Sequence, residues 1–328
     1  MRSGIIVTLC GLLAATAAQA QDQKPASPTP AAPATECKLV QVTALDMTMS
    51  PDGVMVPLMI NGVSKNFKLD LASSASYLAQ STVDDLKLPT TSMRRPVPSN
   101  GYLIKQNATV AKFQIGPLAA DNQTIQVLPK DALKDGVGGL LGAAVLSDLD
   151  IDLDFTNHKL KLFRTNHCPG RVVYWTNSPA AEIPFELDPN GHLVIAGQLN
   201  DKPLSIAIGT GASSILPMGL VNDQFGLDQS SAGMAPAPTG AGPADVPATQ
   251  VFNYRFKTLS ASGVTLNNPL LVVYGPNRMD RCPSKLSDPM ERCAGQPDLN
   301  LGLPELTKFH IYVSSKEKLI YLTAADAH

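Results

Sequence analysis

Aromatic side chains are scarce in this sequence, at 5% with a single Trp, and charged residues supply only 16%. Net charge is −2, and no basic block occurs beyond Arg94-Arg95. Binding to a phosphate backbone needs clustered Lys and Arg, so nucleic acid is not expected as a partner. Long apolar runs are also missing. The longest, from Ile5 to Ala18, is too short to cross a bilayer. Cysteine is sparse, with no CxxC pair, and His158, His167, His192, His310 and His328 are scattered without ligand spacing. A zinc site is therefore not expected, nor any other metal. Gly209-Thr-Gly-Ala-Ser-Ser214 falls short of a dinucleotide loop because position 214 is not Gly. No G-x-S-x-G elbow is present either. Nothing points to a cofactor.

Proline and glycine, by contrast, are plentiful at 27 and 24 residues. They favour turns and strands over long helices. The N-terminus reads as a targeting segment: Arg2, an apolar stretch, and Ala18-Gln-Ala20 as a small-residue cleavage site. Cleavage is expected after Ala20, giving a periplasmic or secreted protein. Cys10 follows Leu9 rather than a small residue, so a lipid anchor is not expected. Residues 21–36 are rich in Pro, Ala, Ser and Thr and read as a disordered linker. Cys37, Cys168, Cys282 and Cys293 remain, and an even count in an oxidising compartment suggests two disulfides. Of three possible pairings, Cys37–Cys168 with Cys282–Cys293 is expected. The first would tie the ends of the first half, and the second would close a short Pro-rich loop. Free buried thiols are the alternative.

One stretch occurs twice. The first copy runs from Asn61 through an alternating strand to Asp70-Leu71-Ala72-Ser73, and the second from Asn200 to Gly209-Thr210-Gly211-Ala212-Ser213. Alternation into a tight turn of small residues reads as a strand ending in a sharp loop. Asn61-Gly62 marks a hairpin. Around the first copy, Ser81–Leu88 reads as a short helix stopped by Pro89, Arg94–Tyr102 as a polar loop, and Thr109–Ile115 with Gln123–Leu128 as a strand pair. In the second half, residues 229–248 take the place of the Arg94 loop, and Val251–Leu259 and Leu270–Tyr274 read as strands.

A second match follows. Leu141-Gly142 corresponds to Leu301-Gly302, and the following positions agree in apolar character: Leu146 with Leu306, Ile151 with Ile311, Leu153 with Val313, Leu160 with Ile320. Two matches in the same order indicate one supersecondary unit used twice. The expected organisation is a signal peptide at 1–20, the linker at 21–36, a first lobe at 37–168 and a second at 169–328. Asp148, Asp150, Asp152 and Asp154 alternate and are expected on one solvated sheet face, not in a calcium loop.

A strand ending in Asp and small residues, followed later by an apolar-apolar-Gly element, resembles the aspartic peptidase family, retropepsin-like domains above all. The resemblance covers about residues 50–163 and 190–322. It implies a mainly β fold of two retropepsin-like barrel lobes in a pepsin-like bilobed arrangement. It also implies a cleft for polypeptide and two turns of the form Asp-Thr-Gly, whose carboxylates share a proton and activate water. The Arg94–Tyr102 and Ser230–Ala248 loops lie where the family has flaps. In the family, the Thr hydroxyl braces the two turns against each other.

Both motifs depart from that pattern. The first keeps the acid at Asp70 but has Leu71-Ala72 for Thr-Gly. The second keeps Thr210-Gly211 but has Gly209 for the acid. Only Thr210 is left to brace the turns. The expected function is a degenerate peptidase that binds extended polypeptide, because strand-like binding uses main-chain bonds and needs no dyad. The alternatives are an active aspartic endopeptidase using Asp70 through a homodimeric dyad, and a structural envelope protein. Oligomeric state is not legible in the sequence.

Overall fold

The computed structural model describes residues 37–99, 102–188, 191–243, 246–275 and 297–327. The expected signal peptide, the linker and the Cys282–Cys293 pairing lie outside the described residues.

The first lobe is an eight-stranded sheet that curls on itself. Its strand order is Thr48–Ser50, Gly53–Ile60, Val63–Asp70, Gly139–Gly142, Tyr77–Leu78, Leu118–Val127, Tyr102–Ile115, Thr90–Ser99. Closure comes from a further pairing of Gly53–Ile60 with Tyr102–Ile115, where Ile60 faces Phe113. The second lobe is a ten-stranded sheet. In it Leu199, the residue before the second Asn, faces Leu259 in the same way. Both Asn residues have a structural role. Asn61 and Asn200 take positive φ, 51° and 46°, as their hairpin turns require. The Asn61 side-chain oxygen accepts the Lys112 N–H at 2.8 Å, and that of Asn200 accepts the Lys257 N–H at 2.7 Å. Each Asn thereby pins its hairpin to a distant segment of the same lobe.

A six-stranded sheet runs beneath both lobes, in the order Gln41–Asp46, Lys159–Arg164, Leu149–Asp154, Phe309–Ser314, Leu319–Ala324, Ala181–Pro184. At its centre one strand from each half pairs antiparallel, Ile151 opposite Val313 and Leu153 opposite Ile311. These are the residues that matched by offset in sequence. Their side chains enter the main apolar core, together with Leu160 and Ile320. Cys37 and Cys168 form a disulfide beside this sheet.

The acidic row on Leu149–Asp154 is buried, contrary to the expectation of a solvated face: Asp150 and Asp152 are 0% exposed and Asp154 3%. Residues 167–175 cross over that face and bring partners. His167 Nε2 lies 2.6 Å from Asp150 and its Nδ1 3.3 Å from Glu317. His310 Nε2 lies 3.0 Å from Asp152, and the Trp175 indole stacks on His310 at 4.0 Å. The Tyr174 hydroxyl donates to Asp152 at 2.6 Å. Alternation put the carboxylates on one face correctly; the crossing segment, not water, covers them.

The expected loop at Arg94–Tyr102 is a two-stranded arm. Thr90–Ser99 pairs with Tyr102–Ile115, with a register shift between Ser92 and Val97. Val251–Leu259 is two strands, Val251–Arg255 and Thr258–Ala261, rather than one.

Candidate functional site

Asp70 ends the strand Val63–Asp70. Phe67 and Leu69 are fully buried in the core, so Lys68 and Asp70 share the other face. The strand runs parallel to Gly139–Gly142, with Asp70 opposite Gly142. The second lobe repeats the arrangement: Lys202–Ile208 runs parallel to Leu299–Leu301, with Ile208 opposite Leu301. In each lobe the strand after the turn then pairs antiparallel with that same crossing strand, Tyr77 with Leu140 and Ile215 with Asn300.

The two crossing glycines let this happen. A Cβ on Gly142 would stand 2.2 Å from Ala75 O, and one on Gly302 would stand 2.3 Å from Ser213 O. No other residue lets the crossing chain lie this close to the turn. The contact is cemented by Ala143 N–H to Ser73 O at 2.8 Å and by Leu303 N–H to Gly211 O at 2.9 Å.

The two turns meet. The fully buried Thr210 hydroxyl donates to Leu69 O at 2.6 Å and accepts the Leu71 N–H at 3.2 Å. One side chain thus bridges the strand tips of both lobes, across 139 and 141 residues of sequence. Leu71, in the matching place of the first turn, is 0% exposed in the core and has no hydroxyl to return the contact. Gly209 N–H donates to Leu301 O at 2.9 Å. A Cβ on Gly209 would point at the Ala72 Cβ, 3.2 Å away.

Asp70 is half-buried, and its Oδ1 accepts the Ala72 N–H at 3.2 Å, turning that oxygen toward its own loop. Ser73 is buried, and its hydroxyl donates to Ala75 O at 3.0 Å. Ala212 is exposed, whereas Gly211 and Ser213 are half-buried. The arm of the first lobe is tied to this region by a 2.5 Å hydrogen bond between Tyr77 Oη and Ser99 Oγ.

Two acids of the second lobe carry no signal in the sequence, Glu305 near the turn and Asp298 farther back alongside the strand Lys202–Ile208. The Ser214 hydroxyl donates to Glu305, and Gly302 N–H donates to Ser214 Oγ at 2.8 Å. Burial raises the Glu305 carboxyl above its ordinary value, against the pull of the Ser214 bond. Asp298 accepts the Ser205 N–H at 2.8 Å. Asp201 is exposed in the turn before Lys202–Ile208, at the far end of that strand from Gly209, and Asp223 is exposed on the helix Met218–Phe225.

The sequence model of the aspartyl protease family matches residues 56–145, the stretch that holds Asp70, its turn and the Leu141-Gly142 crossing. The match lies within the first half of the chain. The fold of the chain is similar to that of the aspartic proteinase from Irpex lacteus, with a TM-score of 0.55 at 13% identity over 87% of this chain and 97% of that one. Basic 7S globulin from soybean aligns at a TM-score of 0.46 and 10% identity, over 89% of this chain and 96% of the other. At 13% identity the likeness to the Irpex lacteus proteinase is one of fold. No curated protein sequence matches the chain. The mainly β, bilobed, pepsin-like architecture that the resemblance implied is the one observed. Among the described residues no helix is long and apolar enough to cross a membrane.

Proposed function

We propose that the chain is a degenerate aspartic peptidase that holds extended polypeptide between its lobes, in the periplasm or outside the cell, and hydrolyses it poorly or not at all. The observation that carries this reading is the seam itself. Asp70 sits at one strand tip, and the matching tip of the other lobe is Gly209, turned toward Ala72. A dyad divides its work between a carboxylate base and a carboxylic acid. Each positioned proton-transfer group contributes roughly 10²–10⁴-fold. A single carboxylate loses at least one such factor.

A homodimeric dyad fits less well. Thr210 of the same chain already occupies the first turn with two buried hydrogen bonds. A second Asp70 would have to displace it. The binding cleft, by contrast, needs only exposed strand edges and the arm Thr90–Ser99. The leader-like N-terminus and the Cys37–Cys168 disulfide support an extracytoplasmic site.

A peptide-library assay between pH 3 and 7 tests the reading, with wild type and Asp70→Asn side by side. Capture without cleavage, unchanged in Asp70→Asn, is expected. Acid-optimum cleavage abolished by Asp70→Asn would overturn it.

A further inference from the structure

We propose that Lys68 reads an acidic side chain on the polypeptide held in the cleft, so that the ligand class is Asp- or Glu-bearing peptide. The inference rests on the polypeptide-binding reading above and specifies its ligand.

The argument starts from the register. Met55 faces Lys68 in the antiparallel pair, and Gly53 opens the same strand two residues before Met55. A Cβ at Gly53 would meet Lys68 Cε at 2.9 Å and Thr210 O at 3.5 Å. The bare α-carbon at position 53, with φ of 136°, therefore leaves the space near Thr210 O into which the lysine stem folds. Lys68 and Asp70 lie on one face, about 7 Å apart along the strand. The Lys68 stem leans from its own position toward the seam where the Gly209–Thr210 turn arrives.

The neighbouring cations are already engaged. Lys65 pairs with Asp85 at 2.8 Å, and Lys134 pairs with Asp52, the residue before Gly53, at 2.6 Å. Among the described residues the Lys68 ammonium has no hydrogen-bond or ion-pair partner, although the side chain is half-buried. An ammonium without an anion partner can take a ligand carboxylate in a charge-assisted hydrogen bond. Lys68 and Asp70 thus bring a cation and a carboxylate onto one face of the strand that ends at the first turn.

The test uses the full chain and three labelled peptides that differ only in a central Glu, Gln or Lys. Wild type is expected to bind the Glu peptide about tenfold or more tightly than the Gln peptide, the size of one charge-assisted contact. Lys68→Met, which keeps the stem, is expected to erase that preference. Lys68→Glu is expected to turn it toward the Lys peptide. Equal affinity of wild type for Glu and Gln peptides, or a preference that survives Lys68→Met, would overturn the inference and leave polypeptide binding intact. Failure to bind any of the three would overturn both. Unchanged circular dichroism of the two variants separates lost recognition from lost folding.

Discussion

Ala72 and Gly209 share a space that holds one side chain comfortably. The family places glycine where this chain has Ala72, and an acid where it has Gly209. The 3.2 Å approach of the Ala72 methyl to a Cβ at 209 makes the two departures complementary. Gly209→Asp alone is therefore expected to destabilise the fold, and Ala72→Gly in the same chain to recover part of the loss. A double-mutant cycle by urea denaturation should show a coupling of about 0.5–3 kcal/mol. Additive effects would mean that the turns relax apart. Asp70 and Thr210 were legible as candidates because the family's turns are short, local patterns. Glu305, Asp298 and Lys68 were not. Their roles arise from Ser214, Ser205 and Gly53, residues that only folding brings near them.

At the scale of single elements, the strand Leu149–Asp154 shows what periodicity can and cannot convey. Alternation identified the strand and sorted its faces, but burial depended on residues 167–175 crossing above it. Two carboxylates on this strand respond oppositely to acid. Burial opposes ionisation of Asp154, but its bonds to Asn157 and Lys161 outweigh that and hold the carboxyl below its ordinary value. Its stabilising contribution is present above the unfolded value of about 3.9 and is lost as pH falls through the lowered folded value. Burial raises Asp150, against bonds from Ser315, Tyr312 and His167, so acid relieves a cost there. Lys161→Met removes the 2.9 Å partner of Asp154. The variant should lose about 1.5–3 kcal/mol at neutral pH, and the deficit should shrink as the pH is taken below 4. Chemical denaturation at stepped pH reads this directly; a deficit independent of pH would point to lost packing alone. The arm Thr90–Ser99 reads as a loop in the sequence because Pro96 and Pro98 argue against a strand. Both sit on an edge strand, where a missing N–H costs little.

For the molecule as a whole, the duplicated order of motifs made the two lobes legible. The sheet joining them was visible only as matched apolar positions. The Cys37–Cys168 bond spans 131 residues of sequence and ties the entry of the first half to its exit. On the chain-entropy estimate, closing a loop of that size stabilises by about 4–5 kcal/mol. Reduction with dithiothreitol should lower the unfolding midpoint by a corresponding amount, and Cys37→Ser with Cys168→Ser should reproduce the shift. A midpoint unmoved by either treatment would show that the central sheet alone suffices.

The antiparallel seam between Leu149–Asp154 and Phe309–Ser314 also bears on what half of this chain would do by itself. A fragment ending after Arg164 would carry a naked edge along Ile151 and Leu153, and exposed edges recruit strands. Because the native contact is close to two-fold, the readiest cap is another identical fragment. Such a self-paired half would set one Asp70 against another, and the asymmetry that separates the intact chain from a two-acid enzyme would vanish. Sedimentation of the fragment, followed by an acid cleavage assay, would reveal whether the single-chain form is what keeps those carboxylates from meeting.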